Sequence, residues 1–215
     1  MIAPADIKTD RRRARTRAAL MQAGQSLFAA HSVDGVSIDD IVLAADVAKG
    51  SFYNHFSDKE ALAREIAVAV RAEAEARVEE ANAGVTDPAR RMARGQAVFM
   101  RFALQQPQRA RAMIRLLAGA TLPNAPLNQG LRADIEAGMA GGQFHGVSVE
   151  TGLLMAMGVG MVAVTRVLEP DGVTPANILC RDLIFGLLRG LGLHEDAARA
   201  LSDAAVDDIF EETRS

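Results

Sequence analysis

Lys49, Ser51, Tyr53, Asn54 and His55 fall within one or two turns of a short predicted helix. An ammonium, a phenol and an imidazole are groups that hold phosphate oxygens, and serine and asparagine side chains can reach base edges. No G-x-S-x-G, phosphate-loop or His-x-x-x-His pattern accompanies them, so the chemistry on offer is recognition and not turnover. His31, His55, His145 and His194 are far apart in the chain, which gives no metal-ligand spacing.

Such a cluster needs a frame. Ser37 with Asp40 three residues on marks a capped helix start, and Ala44-Ala45-Asp46-Val47 marks a turn whose small residues let two helices cross closely. The helix that follows, about Ala48 to Asn54, is too short to be stable alone. Val47, Phe52 and Phe56 must hold it from the inside, leaving Lys49, Gly50, Ser51, Tyr53, Asn54 and His55 outside. Ser57-Asp58-Lys59-Glu60 has the S-x-x-E form of a capping box and opens a long helix to about Asn82. Upstream, Leu20, Ala23, Gly24, Leu27 and Phe28 recur at helical spacing in a helix from about Arg13 to His31. Met1 to Arg12 lacks that periodicity and reads as a mobile basic arm.

Composition sets the outer limits. The chain has 215 residues, 49% apolar and 24% charged, so a real core is possible. Its net charge is −3, so any nucleic-acid surface must be local, and Arg11, Arg12, Arg13, Arg15 and Arg17 crowd one end. Strand signals are scarce; the fold class expected is all-α, with three N-terminal helices forming a helix-turn-helix domain and a larger helical domain after them. The single cysteine, Cys180, allows no internal disulfide and reads as an inert buried thiol. With no signal peptide, and with the run Thr151–Thr165 too short and Gly-rich to span a bilayer, a cytoplasmic location is expected.

The string GVSIDDIVLAADVAKGSFYNHFSDKEAL, Gly35 to Leu62, resembles the DNA-binding domain of the TetR family of bacterial transcriptional regulators, and the likeness extends over about Arg15 to Ala67. The resemblance implies a DNA-binding domain over residues 1–60 and an effector-binding and dimerisation domain over 61–215. It implies a homodimer on a palindromic double-stranded operator and a small-molecule effector; no cofactor, no membrane and no enzymatic activity are expected from the residues themselves. Ser37, Lys49, Gly50, Ser51, Tyr53, Asn54, His55 and Lys59 occupy the positions where relatives meet DNA. Val47 and Ala48 replace the small polar residues usual before the lysine, so base reading there leans on apolar contact with thymine methyls. Gly50 serves either close approach to the duplex or close packing of the turn.

In the second half, apolar helices are expected from Pro88 to about Gln105, from Pro107, from about Leu127 to Met139, over Ser148–Leu168, after Thr174-Pro175 to about Leu191, and from His194 to Phe210. A Pro-containing loop at Leu122–Pro126 and a turn at Glu169–Gly172 separate some of them. The methionines adapt to irregular volumes, as core or as the wall of a ligand pocket. Phe99, Met100, Phe102, Met113, Leu117, Met139, Met157, Met161 and Arg166 are the candidate pocket residues for a hydrophobic or amphipathic effector, with Gln96, Gln105, Gln143 and His145 as further polar groups that could orient it. The helices over 148–168 and 175–191 are the candidate dimer surface, or ordinary internal packing. The acids Asp203, Asp207, Asp208, Glu211 and Glu212 read as a solvated face. The functional expectation is a repressor released from DNA by its effector. An activator, a dimer controlled by a protein partner, and an all-α enzyme are the alternatives.

Overall fold

A computed structural model of the chain describes residues 4–116, 128–169 and 174–211. The described residues form helices α1 (Pro4–Ala30), α2 (Ile38–Ala44), α3 (Lys49–Tyr53), α4 (Lys59–Ala81), α5 (Pro88–Gln105), α6 (Pro107–Leu116), α7 (Gln129–Ala140), α8 (Val149–Val167), α9 (Ala176–Gly190) and α10 (Glu195–Glu211). Among these residues there is no strand. Leu117 and the loop expected at Leu122–Pro126 lie outside the described residues, as does most of the turn expected at Glu169–Gly172.

The helix starts follow side-chain chemistry, with two departures from expectation. Helix α1 begins at Pro4 and takes in most of the segment expected to be a mobile basic arm. Proline suits a first turn, where its missing N–H has no partner to lose. Once an apolar face has nucleated a helix, extension through Arg and Ala costs little. At α4 the capping box expected from Ser57 to Glu60 is replaced by Asp58, whose Oδ1 accepts the amide of Ala61 at 2.6 Å while Ser57 Oγ donates to Oδ2 at 3.0 Å. A carboxylate makes the stronger, charge-assisted cap at the positive end of a helix. At α2 the expected reciprocal cap forms: Ser37 Oγ accepts from the Asp40 amide at 3.1 Å, and the Asp40 carboxylate accepts from the Ser37 amide at 2.9 Å.

The chain packs as two compact units. The first comprises the chain up to Val70 together with α6 from Gln108; the second runs from Arg71 to Pro107 and takes in α7 to α10. By packing, the division therefore falls inside the continuous helix α4 and not at residue 60. In the first unit Leu20, Phe28, Ile41, Phe52, Leu62 and Ile66 are all at most 1% exposed. Gly24 permits the closest approach in that core: a Cβ there would stand 2.8 Å from Leu62 Cδ2 and 3.0 Å from Ile66 Cδ1.

In the second unit α5 packs against α7, α8, α9 and α10. Ala93, Ala97, Leu153, Ile184, Leu188 and Val206 are buried among them. The acids of α10 are not a merely solvated face. Asp208 pairs with Arg94 at 2.6 Å and with Arg90, while Asp203 and Asp207 pair with Arg181 of α9 at 3.0 and 2.6 Å. The last-turn carbonyl of Ile209 accepts from Arg101 at 2.6 Å. These ends of helices need cations, and the arginines come from α5 and α9, far off in sequence.

Helix α8 also departs from expectation. So apolar a helix is expected to be buried on most faces, yet only 33% of its most apolar stretch is buried, and Leu154 and Val162 are 46% and 68% exposed. At 19 residues it is long and apolar enough to cross a membrane by length and composition. Its other face packs against α5, α7 and α9, where a Cβ at Gly152 would stand 3.3 Å from both Ile135 Cγ2 and Leu191 Cδ2, closer than ordinary contact.

Candidate nucleic-acid interface

The turn between α2 and α3 is closed by backbone bonds from Ala45 to Ile41 O, Asp46 to Leu43 O and Val47 to Val42 O. Asp46 takes φ +52°, a left-handed conformation that aspartate tolerates better than most side chains. Helix α3 is five residues long and its N-cap, Ala48, offers no side-chain bond. What holds it is Phe52, fully buried, edge-on to Tyr53 at 5.5 Å and tilted against Phe56 at 5.7 Å. The guanidinium of Arg17 lies 5.5 Å from the centre of the Phe56 ring, which fastens α1 to the same cluster.

With the aromatics inside, Lys49, Gly50, Tyr53 and Asn54 are exposed and Ser51 and His55 half-buried. Tyr53 is 54% exposed, so its ring is more surface than core. Nothing lies within 4 Å of where a Gly50 Cβ would stand. Packing inside the protein therefore gives no reason for glycine at 50. Lys49 Nζ sits 2.8 and 3.0 Å from the two carboxylate oxygens of Asp39, and this bond and charge raise its pKa. Lys59 Nζ donates to the carbonyls of Val36 and Asp34 at 3.0 and 3.3 Å. Burial, then the charges of Arg13 and Arg17, lowers the His55 pKa. Arg17 is itself paired with Glu65. Ser37 is committed to its cap on α2. The structure thus brings Lys49, Gly50, Ser51, Tyr53, Asn54 and His55 together on one short element and its end, and gives Ser37 and Lys59 bonds that fix the approach to it.

Three participants were not read from the sequence: Asp39 as the partner of Lys49, Arg17 as the cation on Phe56, and Leu43, which is 81% exposed on α2. No local spacing rule ties positions 39 and 49 or 17 and 56. Only the exposure of Leu43 had a signal, since it lies off the Ile38–Ile41–Val42 face.

The candidate effector residues are dispersed. Met100 lines a small cavity with Gln96, Val159, Gly160, Ala163, Val164, Cys180, Leu183 and Ile184, which offers about 10 Å³ to the centres of water-sized molecules, about one water. Gln96 donates from Nε2 to Ala156 O at 3.1 Å. Phe99 lies under Arg71 and Phe102 under Arg77, at 4.9 and 5.1 Å. Arg166 pairs with Glu169 at 2.9 Å. Met157 is buried, and Met139 and Met161 are half-buried; Met113 is buried in α6 of the first unit. Gln105 bonds Arg77, Gln143 bonds Asp87, and His145 is exposed. Burial pushes the Cys180 thiol up to about 12, which keeps it protonated and unreactive.

A two-helix turn that exposes polar and basic side chains from its second helix, on an all-helical chain, defines a helix-turn-helix protein. Residues 20–66 match the model of the bacterial regulatory proteins of the tetR family, and the match lies within the first unit. Over 47 residues the chain is 43% identical to the HTH-type transcriptional repressor DhaR of Mycobacterium sp. (strain GP1), spanning 22% of this chain and 24% of that protein. The likeness in fold is far longer. RolR in complex with resorcinol superposes with a TM-score of 0.61 at 22% identity, covering 90% of this chain and 95% of RolR. A tetR-family regulatory protein from Rhodococcus RHA1 gives 0.66 at 20% identity, over 83% and 98%. A gamma-butyrolactone receptor gives 0.64 at 20% identity, over 91% and 99%. The chain therefore has the two-part all-α fold of these proteins over most of its length.

Proposed function

We propose that this chain is a DNA-binding transcriptional regulator, a repressor released from its operator by a small hydrophobic or amphipathic effector. The observation that carries the reading is the α2–α3 turn within residues 20–66, which presents Lys49, Gly50, Ser51, Tyr53, Asn54 and His55 outward while Phe52 and Phe56 are buried. In this reading Lys49, Tyr53 and His55 hold phosphates, with Lys59 and the Ser37 cap fixing the approach; Ser51 and Asn54 read bases. Gly50 leaves room for the duplex backbone. The arginines of α1 add salt-dependent affinity.

The chain acts as a homodimer, in the cytoplasm, on a palindromic operator. Support for the dimer is the apolar face that α8 and α9 leave uncovered, where Val162 is 68% exposed and Leu154 and Ile178 are each 46% exposed. Two such faces would bury one another, as symmetric interfaces do. Residues 1–60 bind DNA, and the effector acts through the chain from 61 onward. The Gln96–Cys180 cavity is lined by apolar side chains around one amide but has room for only about one water, so an effector would have to open it. RolR, of the same fold, was solved with resorcinol.

Selection of duplexes from a random library by the purified chain, followed by gel shift, tests this. The expected product is an inverted repeat with half-sites about 34–36 Å apart, or a multiple of that, and small apolar compounds should release it. Selection that enriches no sequence removes the proposal. Release by small polar metabolites alone removes its effector half.

A further inference from the structure

Lys49, Lys59 and Arg17, all near α3, are already engaged within the protein, but not by the same kind of partner. Lys59 is held by two neutral carbonyls, so its charge remains uncompensated. Arg17 pairs with Glu65, a residue of α4. Lys49, unlike Lys59, is held by a carboxylate, that of Asp39, with both oxygens in reach at 2.8 and 3.0 Å. The two side chains are 54% and 70% exposed, so the pair stands in solvent on the surface that would meet a duplex. Two carboxylate oxygens on one ammonium resemble two non-bridging phosphate oxygens in charge and spacing. Asp39 is free of the capping duty that Asp40 performs.

We infer that Asp39 is an internal stand-in for a DNA phosphate, which holds the Lys49 ammonium until the duplex displaces it and thereby sets the affinity for DNA. The inference rests on the reading of Lys49 as a phosphate contact. Its consequence is quantitative. The pair carries no net charge to the duplex, so Lys49 adds less to affinity and to salt dependence than an unpaired lysine would. Replacing the carboxylate by an amide of the same shape restores one positive charge to each protomer at the point of contact.

The test is a titration of a fluorescently labelled mixed-sequence DNA duplex with the full chain across a salt series, read by anisotropy. Compared are the unaltered chain, Asp39→Asn, Asp39→Glu, Lys49→Ala and the double variant Asp39→Asn with Lys49→Ala. Thermal melting checks that each is folded. Asp39→Asn should bind about two- to fivefold more tightly per protomer, with the salt slope steeper by about one. Asp39→Glu keeps the charge and should stay near the unaltered chain. The gain from Asp39→Asn should vanish when Lys49 is alanine. An undiminished gain in that background shows that Asp39 acts only through general charge, and overturns the inference. So does unchanged or weaker binding by Asp39→Asn in a chain that otherwise binds the duplex; weakening confined to particular sequences would make Asp39 a base reader. A chain that binds no duplex, mixed or selected, at any salt concentration removes the phosphate role of Lys49 and the proposed function with it.

Discussion

The surface around α3 and the surface of α8 and α9 are both exposed, and they are exposed in opposite ways. Around α3, short polar and basic side chains stand outside a compact aromatic cluster. Along α8, Leu154 and Val162 face outward from a helix that hides only a third of its most apolar stretch. Polar side chains around a buried aromatic cluster suit a hydrated, charged ligand. An uncovered apolar helix face suits removal from water by another such face, since it gains nothing from solvent. The contrast teaches that one exposed surface is polar over a buried aromatic cluster and the other is apolar; in the proposed function the first stays wet until DNA arrives and the second is dried by a partner copy.

The hardest blow to the first surface is Phe52→Ala. Phe52 is fully buried and α3 has no cap of its own, so the loss should be about 3–5 kcal/mol. DNA binding should disappear while hydrogen exchange in α8 to α10 stays slow. Retained binding would mean α3 is held by something other than its aromatics. The matching blow to the second surface is Val162→Glu, which places a charge where 68% of the valine is exposed. Melting should hardly change, but self-association should weaken at least about thirtyfold if this residue is central to the contact. A dimer that survives in light scattering would move the interface elsewhere.

Two glycines sharpen the comparison within the first unit. Gly24→Ala pushes a methyl to 2.8 Å from Leu62 and should destabilise by about 1–3 kcal/mol. Gly50→Ala meets nothing, so by helix propensity it should be neutral or stabilising by up to about 1 kcal/mol, yet weaken duplex binding. A Gly50→Ala chain that binds normally would remove the close-approach role of that glycine.

The smallest effect is one of pH. Burial, Arg13 and Arg17 hold the His55 pKa below its usual value, with Glu65 paired to Arg17 nearby. The unfolded chain therefore takes up the proton first as pH falls through the ordinary histidine range, so His55 lowers stability there and contributes nothing above it. A phosphate beside His55 would favour the charged ring, so duplex binding should tighten over the same fall in pH. His55→Gln should flatten both trends, in melting and in anisotropy.

Much of the first unit was legible because its rules are local. Ser37 and Asp40 are three residues apart and close a reciprocal cap; Phe52 and Phe56 are four apart and stack on one side. Of the misreadings, one was local and the others were not. Ser57 looked like the cap of α4, but the adjacent carboxylate of Asp58 competes better for the same amide. The acids of α10 looked solvated because their arginine partners lie on α5 and α9. The candidate effector residues had only composition behind them, and the fold scatters them, one into α6 of the first unit and one alone, Met100, into the cavity.

The sequence by itself determined that the chain is helical, where most helices begin and end, and that a helix-turn-helix carries the polar cluster. Periodicity, caps and turn residues act within a few positions, so a linear string contains them. Only the tertiary structure decided that Asp39 holds Lys49, that Arg17 covers Phe56, that nothing crowds Gly50, and that α8 keeps an apolar face uncovered. Those facts depend on which helices meet and at what distance, and Coulomb and packing energies are set by that distance and not by separation along the chain.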